Sequence, residues 1–96
     1  MDAEIQELMG RVESSTCSFV RNGTAHAPAN AREHMERKYD YVKSYVSTTE
    51  DFIEKAASKS SVTGEPYYVD CPDQKRVTAK VWLTDQLQQI RRADDS

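Results

Sequence analysis

The stretch from Cys17 to Val46, CSFVRNGTAHAPANAREHMERKYDYVKSYV, decides how the rest of the chain is arranged. It joins a short apolar segment, a turn, a proline and a long amphipathic segment. Asn22-Gly23 is a strong turn signal, because both residue types tolerate a positive φ. The residues that follow, Thr24–Ala29, make a poor second strand because Pro28 lies among them. The pattern therefore predicts a turn that leads into a helix, not a β-hairpin.

The helix that begins near Pro28 is predicted to run to Tyr45 or Val46, with one face toward the core. Proline suits the first turn of a helix, where its missing N–H costs little. The predicted core-facing stripe is Ala31, Met35, Lys38, Val42 and Tyr45, flanked by His34, Tyr41 and Val46. A lysine charge within an apolar stripe is costly unless it is paired or reaches water. Lys38 is therefore a candidate functional residue, with His34 one turn before it on the same side.

Three other segments repeat apolar residues at helical spacing. Their predicted bounds are Asp2–Ser15, about 48–59 and Thr78–Arg92. Ser47 or Thr48 is the expected N-cap of the middle one, with Glu50 or Asp51 reaching back, and Thr78 is the expected N-cap of the last.

Tyr67–Val69 is the best strand candidate, and Cys17–Val20 is the segment with which it can pair. We therefore predict a mainly α fold: a compact four-helix domain with a short extended segment or a minimal two-stranded β pairing. The domain is expected to span residues 1–96, with a disordered tail at about 93–96. A sheet of three or more strands, or a fully solvated Lys38, would contradict both this predicted fold and any pocket beside Lys38.

Length and charge exclude several classes of protein. Ninety-six residues provide one modest core. A net charge of -3 and a pI near 5.3 argue against nucleic-acid binding. No apolar run approaches the roughly 20 residues that span a bilayer, so no membrane insertion is expected. The first residues, MDAEIQEL, are acidic and amphipathic, unlike a signal peptide. We therefore expect a cytoplasmic protein or the mature part of an exported one.

The cysteines and histidines show no spacing typical of a reactive or metal site. Cys17 and Cys71 each lie beside an extended-looking segment, so a disulfide and two buried thiols are both open alternatives. Together with His26 and His34 they lack the ligand spacings of zinc sites. Neither cysteine lies in a recognisable catalytic context. We therefore predict no catalytic residue, no metal site and no cofactor.

Lys38 has two interpretations. In the first, its stem packs on the core and its ammonium reaches water or a carboxylate such as Glu50 or Asp51. In the second, Arg21 and His34 converge with Lys38 around a pocket that binds an anionic group. Three aromatic side chains could line this pocket: Tyr67, Tyr68 and Trp82. Such side chains are more often simply part of a core.

Several ordered blocks resemble a known family. They are FVRNG followed by a histidine, the helix with A…H…K, TTEDFI, the segment SSVTGEPY and the helix with WL…L. Their order resembles the YfeK-like proteins, a family of small proteobacterial proteins of unknown function, over about Cys17 to Arg92. The matching positions are Arg21, Asn22, Gly23, His34, Lys38, Thr48, Phe52, Ile53, Ser61, Gly64, Tyr67, Trp82 and Leu83.

The resemblance implies a location but no activity. Members commonly carry a signal peptide, so the protein is expected in the periplasm if a leader was removed, and in the cytoplasm otherwise. Export favours a Cys17–Cys71 disulfide. The candidate ligand-binding residues are Arg21, Asn22, His34, Lys38, Ser61 and Tyr67. We expect a non-catalytic binding or interaction module of the periplasm or cell envelope, whose partner is a protein or a small anionic ligand. The alternative is a small hydrolase or transferase with His34 as general base.

Overall fold

The computed structural model describes residues 2–60 and 63–95, which form four α-helices and a four-stranded antiparallel sheet. The helices are α1 (Asp2–Ser14), α2 (Pro28–Val42), α3 (Thr49–Phe52) and α4 (Ala79–Asp95). The strands are β1 (Ser18–Arg21), β2 (Thr24–His26), β3 (Tyr68–Asp70) and β4 (Val77–Thr78). A 3₁₀ turn, Lys43–Tyr45, follows α2, and a π-helical turn, Ile53–Ala57, follows α3. The last helix extends three residues beyond its predicted end at Arg92.

The sheet overturns the prediction of a mainly α, four-helix fold with at most two paired strands. Its strand order is β2-β1-β3-β4, so the fold is mixed α/β. The hairpin that the sequence argued against connects β1 to β2. Asn22 and Gly23 form its two-residue turn with φ of 51° and 79°, a pair of positive values that matches the twist of the flanking strands. Strand β2 ends at His26, so Pro28 begins α2 and does not interrupt the strand.

The predicted pairing between the segment at Cys17–Val20 and the segment at Tyr67–Val69 is confirmed. Strands β1 and β3 are antiparallel, with Phe19 opposite Val69. A disulfide joins Cys17 to Cys71, and each cysteine lies one residue outside its strand. The sequence-based preference for this disulfide over two free thiols is therefore confirmed, and the bond fixes the two central strands side by side.

The helices and the sheet share one core. Helix α1 packs against α2 and α4, while α2 contacts β1 and α4 contacts β3 and β4. The four apolar residues predicted to face inward from the first helix are fully buried: Ile5, Leu8, Met9 and Val12. From the last helix, Leu83 and Ile90 are also fully buried. Trp82 meets Phe19 of β1 edge to face, with ring centroids 5.5 Å apart, so an aromatic contact joins α4 to the sheet.

The apolar face of α2 differs from the predicted stripe. Its buried residues are Ala31, Met35 and Tyr39. The Tyr39 ring packs edge to face on Phe52, with centroids 5.4 Å apart. Tyr41 and Tyr45, which were placed in or beside the stripe, are 88% and 70% exposed. The buried face of α2 therefore includes Tyr39 in place of Lys38. Lys38, the neighbouring residue, lies at the edge of the core and is half-buried.

Candidate functional site

An open concavity of about 530 Å³ lies beside β1, α2 and the segment that leads into β3. Five of the six candidate ligand-binding residues line it: Arg21, Asn22, His34, Lys38 and Tyr67. The sixth, Ser61, lies outside the residues that the structure describes. Its neighbour Ser60 lines the concavity, together with Tyr41 and Val42. The structure thus brings the candidate residues together, and their binding of a ligand stays a prediction.

Three elements position these side chains. Arg21 is two residues after Phe19 in β1, and alternation along a strand directs both side chains to the same face of the sheet. His34 and Lys38 are one turn apart on α2. The backbone of Tyr67 is held on both sides, because its N–H donates to the carbonyl of Ser58 (2.9 Å) and its carbonyl accepts from the N–H of Ala79 (2.8 Å).

This geometry also corrects the expectation that a larger sheet would remove the pocket. Arg21 is the last residue of β1, Asn22 lies in the hairpin turn, and Tyr67 directly precedes β3. The end of β1, the hairpin turn and the residue before β3 therefore supply three of the lining residues, and they build the concavity together with α2.

The Tyr67 hydroxyl connects His34 to Lys38. Lys38 Nζ lies 3.2 Å from Tyr67 Oη and 5.1 Å from the centroid of its ring, and it also donates to the carbonyl of Lys59 (2.8 Å). His34 Nε2 lies 3.2 Å from the same Tyr67 Oη. Because an ammonium group can only donate, Tyr67 Oη accepts from Lys38 and its own proton is left for Nε2 of neutral His34. This arrangement uses two of the three ammonium protons of Lys38 and leaves one for a ligand.

Within residues 2–60 and 63–95 no carboxylate pairs with Lys38, so the pairing with Glu50 or Asp51 that its first interpretation included is not observed. Glu50 pairs with Arg91 at 2.8 Å instead. Asp51 accepts a hydrogen bond from the backbone N–H of Ser47 (3.0 Å), and its own N–H donates to the N-cap Thr48 (3.1 Å). The capping pattern predicted for α3 is thereby confirmed, and it occupies the carboxylate that Lys38 was expected to meet.

Burial and positive charge together shift the pKa values of the groups around the concavity. Burial, followed by the nearby charges of Arg21 and Lys38, lowers the pKa of His34 to about 4. The pKa of Lys38 is lowered by burial and then by Arg21, and the pKa of His26 is lowered by the same two causes. Burial raises the pKa of Tyr67. The charge of Arg21 thus acts on all four groups, and the local potential is positive.

Arg21 keeps its hydrogen-bonding capacity for a ligand. Among the residues that the structure describes, its guanidinium forms no ion pair or hydrogen bond, and none of the residues that line the concavity is acidic. A guanidinium offers five N–H donors in a fixed planar arrangement that matches a carboxylate or phosphate. The concavity therefore contains two cationic groups that can each donate to an anion.

The other candidate residues do not form a site. Cys17 and Cys71 are bonded to each other, so neither thiol can ligate a metal or act as a nucleophile in this state. Across the described ranges, no group of three or more His, Cys, Asp or Glu side chains could hold a metal ion. Trp82 packs on Phe19, and Tyr68 lies against the Arg76 guanidinium, 5.5 Å from its ring centroid. Of the three proposed aromatic walls, only Tyr67 lines the concavity.

Sequence reasoning missed part of this site. Tyr41 was assigned to the flank of the core, yet it lies three residues after Lys38, a spacing that places both on one side of a helix. The Lys59 carbonyl that accepts from Lys38 belongs to a backbone group, and no residue pattern identifies it. Helical spacing alone could therefore have found Tyr41 but not Lys59.

The sequence of this chain is similar to one family of known proteins. Residues 1–91 match the "Family of unknown function (DUF5329)". The chain belongs to this family.

A curated relative of this DUF5329 member is "Uncharacterized protein YfeK" of Salmonella typhimurium, 37% identical over 67 residues. The match covers 69% of this chain and 56% of the relative, so the chain spans little more than half of that protein's length. The resemblance to the YfeK-like proteins is therefore confirmed. No solved structure matches the chain. None of the described helices is long and apolar enough to cross a lipid bilayer.

The depressed pKa of His34 makes the stability of the fold depend on pH. The folded-state pKa is about 4 and the ordinary value is 6.5, so the unfolded chain takes up this proton first as the pH falls. The stabilisation is fully present above pH 6.5 and is lost as the pH falls toward 4. Because the ring is partly exposed to water, we expect a loss of roughly 1 to 2 kcal/mol.

Urea unfolding at several pH values measures this effect. The His34→Gln variant should show a flatter profile between pH 6.5 and 4.5, while His26→Gln should keep most of the dependence. Glu50 has a pKa lowered to about 2, mainly by its hydrogen bond with Arg91, so its contribution is lost below about pH 4.5 and does not obscure the His34 window. Identical profiles for wild type and His34→Gln would contradict the assignment.

Proposed function

We propose that this protein is a non-catalytic binding module of the periplasm or cell envelope that binds a small anionic group in the concavity beside Arg21 and Lys38. One observation carries the proposal. Two cationic side chains line a single open concavity, and none of its lining residues carries a carboxylate. A protein with a net charge of -3 has acidic groups available for pairing, so this local excess of positive charge favours an anionic ligand.

The hydrogen-bond donors suit this role. Arg21 contributes a guanidinium with no partner among the described residues, and Lys38 contributes one remaining N–H. The contacts of Lys38 with Tyr67 and with the Lys59 carbonyl hold the ammonium in place before a ligand arrives. Such preorganisation reduces the entropy lost on binding.

The catalytic alternative receives no support from the site. His34 has a pKa of about 4, which makes its neutral imidazole a weak base at neutral pH. Its Nε2 already accepts from Tyr67, and no carboxylate among the lining residues orients the ring. We therefore advance the binding module alone.

The location in the periplasm is supported by the Cys17–Cys71 disulfide. Disulfides persist in oxidising compartments and are rare in a reducing cytoplasm. The descriptions of the family and of its Salmonella relative name no compartment, so the disulfide is the argument from this chain itself.

Titration with inorganic phosphate and with acetate, followed by the NMR signals of the His34 ring, tests binding directly. A bound anion beside Lys38 and Arg21 should shift these signals and raise the pKa of His34, since it offsets the two charges that lower it. Lys38→Gln should weaken binding about tenfold, the effect of losing one charge-assisted hydrogen bond. Lys75→Gln, in the exposed turn before β4, is the matched control and should bind like wild type. Absence of any His34 response to either anion would remove the proposal.

A further inference from the structure

A second, smaller cleft adjoins the concavity and is almost entirely apolar. Its walls include four buried side chains from the sheet, α2 and α4: Phe19, Ala31, Met35 and Ala79. Its free volume of about 20 Å³ has room for roughly one or two groups of the size of a methyl. We call it the apolar slot.

The apolar slot and the concavity are neighbours and share part of their walls. Arg21, His34 and Tyr67 line both of them. The two neutral polar groups at this junction, His34 Nε2 and Tyr67 Oη, are bonded to each other, so they offer little to a polar ligand group on the slot side. A molecule bound across the junction therefore meets two cations in the concavity and hydrocarbon in the slot.

We infer that the ligand is a carboxylate with a short aliphatic substituent, and this inference rests on the proposed anion site. The carboxylate lies beside Arg21 and Lys38, and the substituent enters the apolar slot next to Met35 and Ala31. A planar carboxylate matches the donors of a guanidinium, and burial of each methylene from water favours binding. A free short-chain acid and the C-terminal residue of a peptide share this chemistry.

A series of carboxylates of increasing length tests the slot. Acetate, propionate, butyrate and hexanoate are titrated into the intact protein, and dissociation constants are taken from the shifts of the His34 ring. We expect affinity to rise about fourfold for each of the first one or two methylenes, and then to level off because the slot is full. N-acetylglycine and N-acetylalanine differ by one methyl group, so comparing their affinities tests whether the C-terminal residue of a peptide uses the slot. If affinity rises with the added carbon in only one of the two sets, that set identifies the ligand as a free short-chain acid or as a peptide C-terminus. If affinity rises in neither set, the inference is overturned.

The methionine methyl groups give a second readout that needs no mutation. Met35 lines the slot, whereas Met9 is fully buried in α1 and does not line it. With ¹³C-methyl-methionine protein, butyrate should shift the Met35 signal and leave the Met9 signal unchanged, while phosphate should leave both unchanged. If acetate and phosphate move the His34 ring but butyrate leaves Met35 unmoved and binds no more tightly, the slot is not a subsite and the anion site stands. If no anion moves the His34 ring, the proposed function itself fails.

Discussion

Replacing Cys17 and Cys71 together by alanine should lower the free energy of unfolding by about 4 kcal/mol. The disulfide closes a loop across a sequence separation of 54. In the chain-entropy model, the bond stabilises the fold by this amount because it reduces the number of conformations open to the unfolded chain. The total stability of a domain of this size is about 5 to 15 kcal/mol, so the bond supplies a large share of it. The melting temperature should fall by roughly 15 to 30 °C.

Reduction of the wild-type protein breaks the disulfide but keeps both cysteine side chains. It therefore distinguishes the effect of the bond from the effect of the alanine substitutions. Urea unfolding with and without reductant should show the same loss in wild type, and the alanine double variant should not respond to reductant. Equal stability of oxidised and fully reduced wild type, with alkylation confirming the free thiols, would contradict the prediction. The same alkylation in intact cells of the organism that makes the protein tests the proposed compartment: an oxidised pair is expected, and two reactive thiols would argue for a reducing cytoplasm.

The helices could be predicted because their apolar residues recur at helical spacing over many turns. Ile5, Leu8, Met9 and Val12 were placed on one face of a helix and are fully buried. The N-cap assigned to the last helix is also confirmed, since Thr78 Oγ1 accepts from the backbone N–H of Val81 at 3.3 Å. Both signals are local, so a sequence reading finds them.

The sheet could not be predicted because its outer strands carry no local signal. Strand β2 has three residues, none of them buried, and β4 has two. Strands this short depend on their neighbours for stability. Strand β1 supports β2 through the Asn22-Gly23 turn, and β3 supports β4, so the pairing of β1 with β3 decides the whole sheet. The turn chemistry was recognised, but Pro28 was given more weight than the turn.

The site was easier to anticipate than the sheet that forms much of it. The spacing of His34 and Lys38 places both on one side of α2 wherever that helix packs. Their common partner, Tyr67, follows from the pairing of β3 with β1 and from the contact of its backbone with Ala79. The position of Lys38 depends on Tyr39, whose contact with Phe52 comes from a separate helix and is invisible to a projection of α2 alone.

These contacts explain why the cations stay unpaired by carboxylates. The two carboxylates considered as partners of Lys38 are engaged elsewhere: Glu50 binds Arg91, and Asp51 caps α3. Arg91 also pairs with Glu4 of α1 at 3.1 Å, so this network joins α1, α3 and α4 away from the concavity. Acidic residues are thus used to hold helices together, and the positive potential near Arg21 is preserved.

Charge reversal at Arg21 should remove anion binding. Arg21→Glu deletes the guanidinium that has no partner in the described residues and places a negative charge where the ligand's charge lies. A charge-assisted hydrogen bond contributes about 1.5 to 3 kcal/mol, and repulsion adds to its loss, so affinity for phosphate and acetate should fall by about 100-fold or more. Since Arg21 is partly exposed at the end of β1, the stability of the fold should change by no more than about 1 kcal/mol.

The same substitution should raise four pKa values at once, that of Tyr67 among them. Arg21 lowers the pKa of His34, Lys38 and His26, so replacing its positive charge with a negative one reverses the sign of its effect on each. NMR titration of the two histidines measures this without any ligand. Arg92→Glu makes the same change in net charge at the exposed end of α4 and should leave both histidines and anion binding unaltered. If the two variants lose affinity equally, overall charge governs binding; if the pKa of His34 stays at about 4 in Arg21→Glu, the guanidinium does not act on the concavity.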